Sequence, residues 1–424
     1  MDLKGNTTIT FHSGILTIGG TVIEIEYNGS RVFFDFGTEF RPELKLKDEN
    51  LETLIEHKLI PDIDIYDKRF KRIVNSKDTA VFLSHCHLDH TRMINYLDSD
   101  IPLYALSETK SIIELLNKDR KFILPSFDPN IVTRDIIGLK PEEVIKVGEI
   151  EVMLYRVDHD AYGACGMIIK TNDITIGYTG DLRLHGFDSK DTAHFCEKAY
   201  NCDILLMEGV SISFDENNEK SSNKFESEEK LVEWIVNEVD KNPDKQITFN
   251  AYLANVKRFE RLISDVNRKV VVSEKMAYIL KEILHLDCFY QKDDNIDWKM
   301  DKKFAVDISE LENNPQKYLW QIDDYQSYLQ KGGLYLHCDA SPLGLFDPYY
   351  LVFKEKFESN QIEFKHIGCS GHATPNDLDR IVEMIKPKCL IPIHSLHPER
   401  LKNPYGEVHL PKRGEKLKEE KRKC

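Results

Sequence analysis

Ser84-His85-Cys86-His87-Leu88-Asp89-His90 puts three histidines and an aspartate within six positions, directly after the apolar run Thr79-Ala80-Val81-Phe82-Leu83. Packing does not explain such a string, because neutral imidazole and carboxylate are ligands for zinc and similar divalent cations. The apolar run reads as a short buried strand. Its exit carries the four side chains into a loop, where functional groups concentrate. Alternate side chains of an extended segment share a face. His85 and His87 are therefore predicted to grip one ion, with Asp89 and His90 turned towards a second. Cys86 points away from His85 and His87 and reads as a buried neighbour, not a ligand.

Further candidate ligands stand at the ends of strand-like segments downstream. Asp181 closes Tyr178-Thr179-Gly180-Asp181 after Ile174-Thr175-Ile176-Gly177, and His159 follows Leu154-Tyr155-Arg156-Val157-Asp158. His394 ends Leu390-Ile391-Pro392-Ile393, where the proline suits a strand end or edge. Five histidines and two aspartates suffice for two ions with one carboxylate bridging.

On these residues the chain resembles metallo-β-lactamase-fold hydrolases and, more narrowly, the β-CASP nucleases, such as ribonuclease J and the cleavage-and-polyadenylation endonucleases. In that family HxHxDH is the first metal motif, matched here by His85, His87, Asp89 and His90, with His159 and Asp181 following. Leu205-Leu206-Met207-Glu208 resembles the acidic β-CASP signature, and Cys369-Ser370-Gly371-His372-Ala373 resembles the SGH signature. Ile391-Pro392-Ile393-His394 resembles the last, whose histidine completes the second metal site. The match runs from Gly19-Gly20 to about His397. Two positions depart from the pattern. Gly368 stands where the family often has a histidine, with His366 two residues upstream, and Ser395-Leu396 replaces the Gly-Glu common in ribonuclease J.

A chain of 424 residues is two domains or one large one. Residues Thr7 to Phe36 alternate apolar and polar with glycine at turns, which predicts antiparallel strands. Asp215 to Lys224 is polar, a surface loop or boundary. Beyond it, helical spacing (Leu231, Trp234, Ile235, Val239) alternates with strand runs such as Gln246-Ile247-Thr248-Phe249, the rhythm of a parallel sheet. A helix is predicted to open at Thr374-Pro375. The resemblance implies an α/β fold: a metallo-β-lactamase αββα sandwich with an inserted Rossmann-like β-CASP domain. Its expected parts are residues 1–208, a cap over 209–365, a closing part over 366–411, and a charged tail over 412–424 that frays or forms an exposed helix.

Lys and Arg number 57 against 72 Asp and Glu, a net charge of −15. That excludes a general nucleic-acid coating protein, which relies on a basic surface. It leaves room for a local basic groove, with Lys68, Arg69, Lys71, Arg72, Lys257 and Arg258 as its candidates. No apolar run approaches the ~20 residues of a membrane helix, so no membrane partner is expected. The first residues lack a signal-peptide pattern, and nine scattered cysteines without CxxC pairs suggest reduced thiols in a cytoplasmic protein. A homodimer is left open.

The resemblance implies a hydrolase of phosphodiester bonds in single-stranded nucleic acid, RNA before DNA. Two divalent ions, zinc by default with manganese as the alternative, would act ~3.5–4 Å apart, a spacing suited to in-line displacement at phosphorus. His85, His87 and His159 are assigned to one ion, Asp89, His90 and His394 to the other, and Asp181 bridges. Asp89, His372 and Glu208 form the catalytic set. His372 is the candidate proton donor or phosphate clamp, and Glu208 orients a ligand histidine. His185 and Arg183 line the cleft or serve structure. A small-molecule thioester or lactone hydrolase on the same scaffold is the second reading, and a non-catalytic scaffold subunit the third. Metal content separates the third from the others, and salt-dependent polynucleotide binding separates the first from the second.

Overall fold

The computed structural model describes residues 6–41, 43–70, 78–214, 223–292 and 296–418. The chain forms two compact units. The first comprises Met1–Leu184, Asp188–Asp215 and Gly371–Cys424, and the second His185–Phe187 and Glu216–Ser370. Among the described residues no helix is long and apolar enough to cross a membrane.

The first unit stacks two sheets, each of seven strands among the described residues. One runs Lys416–Leu417, Thr8–Ser13, Val22–Tyr27, Ser30–Phe34, Thr79–Phe82, Leu103–Leu106, Ile137–Leu139. The other runs Glu407–Val408, Cys389–Ile393, Ile204–Glu208, Thr175–Tyr178, Cys165–Lys170, Ile150–Arg156, Val144–Val147. The expected antiparallel opening strands are present, paired Ile25 to Ile9 and Ile25 to Val32. Ile23, Ile25, Phe34 and Phe82 from one sheet meet Val152, Leu154, Met167 and Leu206 from the other in one buried core. Each such side chain contributes ~1.5–3 kcal/mol on burial.

Strand Ile204–Glu208 shows why some runs are continuously apolar. Ile204 and Leu206 enter the core between the sheets, whereas Leu205 and Met207 pack under helices Ser189–Lys198 and Pro375–Ile385 on the outer face. Parallel strands covered on both faces lose the polar half of the alternation. The second helix opens as its sequence dictates: the Thr374 side chain accepts from the Asp377 N–H, and Leu378, Ile381, Val382 and Ile385 face inward. Pro392 sits beyond the short outer strand, which pairs only with Cys389 and Leu390.

The charged end differs from expectation as far as it is described. Lys416 and Leu417 form a strand paired with Thr10 and Ile9, and Leu417 is buried in the core. One inward leucine and two ladder pairs outweigh the charge density that predicted a frayed end or exposed helix. Residues 419–424 lie outside the described residues, as do 215–222 of the predicted boundary loop.

The second unit is built on an eight-stranded sheet among the described residues, with every registered pair parallel. Its order is Asn223–Lys224, Glu363–Gly368, Leu334–Cys338, Ile247–Ala251, Tyr318–Gln321, Lys269–Ser273, Phe289–Gln291, Ala305–Val306. Arg258, read from sequence as a groove residue, is buried here. Its Nε donates to Glu228 Oε2 at 2.9 Å, its Nη2 to Glu228 Oε1 at 2.8 Å, and Asp339 lies 3.0 Å away. Cutting Glu228 to alanine leaves that guanidinium buried with half its counter-charge. We expect a loss of roughly 3–5 kcal/mol from the stability of this unit, read by denaturant unfolding. A change under 1 kcal/mol would contradict a structural role (about the scale of a surface pair).

Candidate metal centre

The ligand-bearing segments leave their strands on one side. Thr79–Phe82 runs into His85 to His90, Thr175–Tyr178 into Asp181, Ile204–Glu208 ends on Glu208, and Cys389–Ile393 delivers His394. Ile150–Arg156 is antiparallel to Cys165–Lys170, which is antiparallel to Thr175–Tyr178. It therefore points the same way and brings in His159. The loop after Ser30–Phe34 braces the HxHxDH segment: the Phe36 N–H donates to His90 O at 2.7 Å, and a Cβ on Gly37 would sit 1.9 Å from the Asp89 backbone. Glycine is required for that approach.

The seven expected ligands converge into two groups that share Asp181: His85, His87, His159 and Asp181, and Asp89, His90, Asp181 and His394. His85 Nε2 lies 3.5 Å and His90 Nε2 3.2 Å from Asp181 Oδ2. His394 Nδ1 is 2.9 Å from Asp181 Oδ1, and its Nε2 is 3.3 Å from Asp89 Oδ2. His159 Nε2 is 3.2 Å from His87 Nδ1. His85 Nε2, His90 Nε2, His394 Nε2 and Asp181 Oδ2 are buried without a hydrogen-bond partner. Buried donors and acceptors are normally satisfied. Convergent orphans of this chemistry fit a bound cation, and the site is a metal-binding one. His397, three positions after His394, is turned out towards Glu399 at 3.1 Å. Cys86 is fully buried and belongs to neither group. The eight described cysteines are all free and buried.

Sequence reading passed over the residues that orient these ligands. Asp35, fully buried, accepts from Ser84 N at 2.7 Å, Ser84 Oγ at 2.8 Å, His90 Nδ1 at 2.8 Å and the Tyr178 hydroxyl. Since Ser84 Oγ gives its proton to Asp35, His85 Nδ1 donates to Ser84 Oγ at 2.9 Å. One carboxylate thereby fixes the orientation of a histidine in each group and leaves both Nε2 atoms facing into the cluster. His159 is held likewise, its Nδ1 donating to Gly371 O at 2.5 Å. Asp160, next in the chain, places Oδ1 3.3 Å from His159 Nε2 and 3.4 Å from His87 Nε2.

Glu208 serves a different histidine from the one expected. Its Oε1 is 3.5 Å from His372 Nδ1 and accepts from the Ala373 N–H at 3.3 Å, while Oε2 accepts from Val210 N at 2.8 Å. It orients the SGH histidine, not a member of either ligand group. His372 Nδ1 is also 3.8 Å from Asp181 Oδ2. Arg183 is structural: buried, it binds Asp158 Oδ1 through Nε at 3.1 Å. His185, in the second unit, contacts Ser370 O at 3.0 Å through Nε2. Lys68 pairs with Asp100, and Arg69 with Asp67 at 2.7 Å. Lys71 and Arg72 lie outside the described residues.

Burial opposes charge on all these imidazoles. It wins at His85, His87 and His159, whose pKa values fall, that of His159 to about 3. At His90 and His394 the neighbouring Asp181 and Asp89 overcome it, and His394 rises to about 10. Metal-free protein therefore holds protons on the second group at neutral pH, and a cation must displace them. Affinity is expected to strengthen as pH rises through neutrality, by about tenfold per unit for each proton displaced. Calorimetry in buffers of different ionisation enthalpy counts the released protons, and pH-independent uptake would contradict this charge arrangement.

Comparison with known proteins agrees with the geometry. Residues 65–235 match the family model for a β-lactamase superfamily domain. Ribonuclease J of Helicobacter pylori (strain J99) is 22% identical, over 93% of this chain and 56% of its own length. Ribonuclease J of Pyrococcus abyssi is 20% identical, over 90% of this chain and 88% of its own. Ribonuclease J2 of Bacillus subtilis is 22% identical over 98% and 72%. The chain thus spans little more than half the length of the Helicobacter relative. A crystal structure of an Enterococcus faecalis V583 protein of unknown function is 48% identical, covers 97% of this chain and 100% of that one, and superposes with a TM-score of 0.93. The chain carries a β-lactamase superfamily domain over residues 65–235, and its α/β sandwich is consistent with the metallo-β-lactamase fold. Over most of its length it is similar to these ribonucleases J.

Proposed function

We propose that the protein is a dinuclear metal-dependent hydrolase that cleaves phosphodiester bonds of single-stranded RNA. The observation that carries this reading is the pair of ligand groups sharing Asp181, with His372 3.8 Å from the same carboxylate. His85, His87 and His159 would hold one ion and Asp89, His90 and His394 the other, with Asp181 shared between the two groups. Zinc is the default for a histidine-rich set, with manganese as the alternative. Divalent ions bound here supply a water acidified towards neutral pH and positive charge for a phosphoryl oxygen. His372, raised in pKa because Glu208 and Asp181 outweigh its burial, holds its proton to higher pH than a free imidazole and gives it to the leaving oxygen. Glu208 fixes that ring. Residues 209–365 are assigned to an inserted β-CASP cap, and the relatives' names support RNA as substrate.

One observation keeps a second reading, hydrolysis of a small thioester or lactone. Of the expected groove residues, Lys68 and Arg69 are paired to aspartates and Arg258 is buried. The test is cleavage of end-labelled single-stranded RNA, with matched DNA alongside, by metal-loaded protein. RNA cut into a ladder or from one end supports the proposal. Intact polymers in the presence of protein that holds its ions would overturn it and direct the search to small esters.

A further inference from the structure

Three carboxylates, not two, surround the paired ligand groups. We propose that Asp160 is a fifth protein ligand of the ion held by His85, His87, His159 and Asp181. The inference rests on the metal-centre reading but not on RNA being the substrate.

The hydrogen bonding leads to this assignment. Gly371 O can only accept, so His159 Nδ1 carries the proton and Nε2 presents its lone pair. That lone pair faces Asp160 Oδ1 at 3.3 Å. Two acceptors so close, both buried, repel unless a cation lies within reach of both. Oδ1 has no hydrogen-bond partner, and the side chain is only 13% exposed. The spacing is also that of ligands around one ion. Arms of about 2.0–2.2 Å at the roughly 90–120° angles of a five-donor set put neighbouring donor atoms about 2.8–3.8 Å apart. His85 Nε2 and Asp181 Oδ2 are 3.5 Å apart, His159 Nε2 and His87 Nδ1 3.2 Å, and Asp160 Oδ1 and His159 Nε2 3.3 Å. The glycine of Ser370-Gly371-His372 makes room for this carboxylate, since a Cβ on Gly371 would come within 2.3 Å of Oδ1.

Two consequences follow. The first ion has three nitrogen and two oxygen donors, more than a tetrahedral zinc site uses, and the added carboxylate moves the set towards manganese. The added negative charge lowers the net positive charge that the bound ions present to a substrate.

The test is a Co(II) titration of metal-free full-length protein, followed by visible absorption and calorimetry, for wild type, Asp160→Asn and Asp160→Ala. The expected result is about 10–100-fold weaker binding of one equivalent in both variants, with the other equivalent unchanged. In Asp160→Asn the visible band should also intensify as the first ion moves from five donors to four. Circular dichroism of the metal-free variants confirms that they fold, and Asp160→Asn, nearly isosteric, stands in if alanine does not. A wild-type visible spectrum in Asp160→Asn, whatever its affinity, would overturn the ligand role while leaving the metal centre intact. A wild type that takes up no Co(II) would overturn the metal centre itself.

Discussion

Asp181→Ala is expected to lose metal from both ligand groups and to reduce RNA cleavage by roughly 10³-fold or more, the equivalent of several kcal/mol of metal-derived transition-state stabilisation. Asp181 alone belongs to both groups, and its two oxygens face different histidines: Oδ2 lies 3.5 and 3.2 Å from His85 and His90, and Oδ1 2.9 Å from His394. Removing it takes one ligand from each ion and the principal counter-charge from His90 and His394. Asp181→Asn keeps the shape and removes only the charge. It should fail in the same way, and its residual metal uptake should release fewer protons than that of wild type. Metal analysis alongside the cleavage assay separates a lost ion from a misfolded chain. Full metal content in Asp181→Asn would contradict the shared role.

His372→Ala is expected to act on chemistry without emptying the site. His372 is in neither ligand group, and its Nδ1 sits beside Glu208 Oε1 at 3.5 Å. A positioned general acid contributes typically about 10²–10⁴-fold, so kcat should fall by that range with metal content unchanged. The pH profile carries the sign. Glu208 and Asp181 raise the His372 pKa, so the acid stays loaded to higher pH than a free imidazole and is lost as pH rises through that value. Wild-type kcat should therefore decline on the alkaline side, and the alanine variant should lack that limb. Glu208→Gln should shift the limb to lower pH, because the anionic partner that favours the protonated ring is gone. Loss of metal from His372→Ala would show instead that the histidine is part of the ion site.

What the sequence made legible is whatever it encodes in short, local strings. Four of the seven clustered side chains stand inside HxHxDH itself, and the other three, His159, Asp181 and His394, end or follow strand-like runs. The helix after Thr374 carried its cap, proline and apolar stripe in view. The supporting residues had no such string. Asp35 sits in Phe33-Phe34-Asp35-Phe36-Gly37, where a lone carboxylate after a strand reads as a turn. Its importance arises only when sheet register brings in Tyr178, 143 positions away. A fully buried acid between aromatic residues was the available signal, since such a group must find donors. Asp160 was overlooked for the opposite reason: it adjoins an obvious ligand and was absorbed into its motif.

Charge was the least informative local feature. Arg258 lies on helix Val256–Asp265 beside Lys257, and the basic pair reads as part of a groove. Its burial depends on Glu228 and Asp339, 30 and 81 residues away by subtraction of their positions. Lys416-Leu417 likewise became a strand because an edge of the first sheet was open to it, which no property of the charged tail reveals.

The measurement that tests the central claim most directly is reconstitution. Metal-free protein receives increasing equivalents of Zn(II) or Mn(II), and single-stranded RNA cleavage is read at each step. Two ligand groups joined by Asp181 predict that cleavage stays low through the first equivalent, rises with the second and saturates at two ions per chain. Full activity at one ion, or cleavage that persists in metal-free protein, would contradict the dinuclear account.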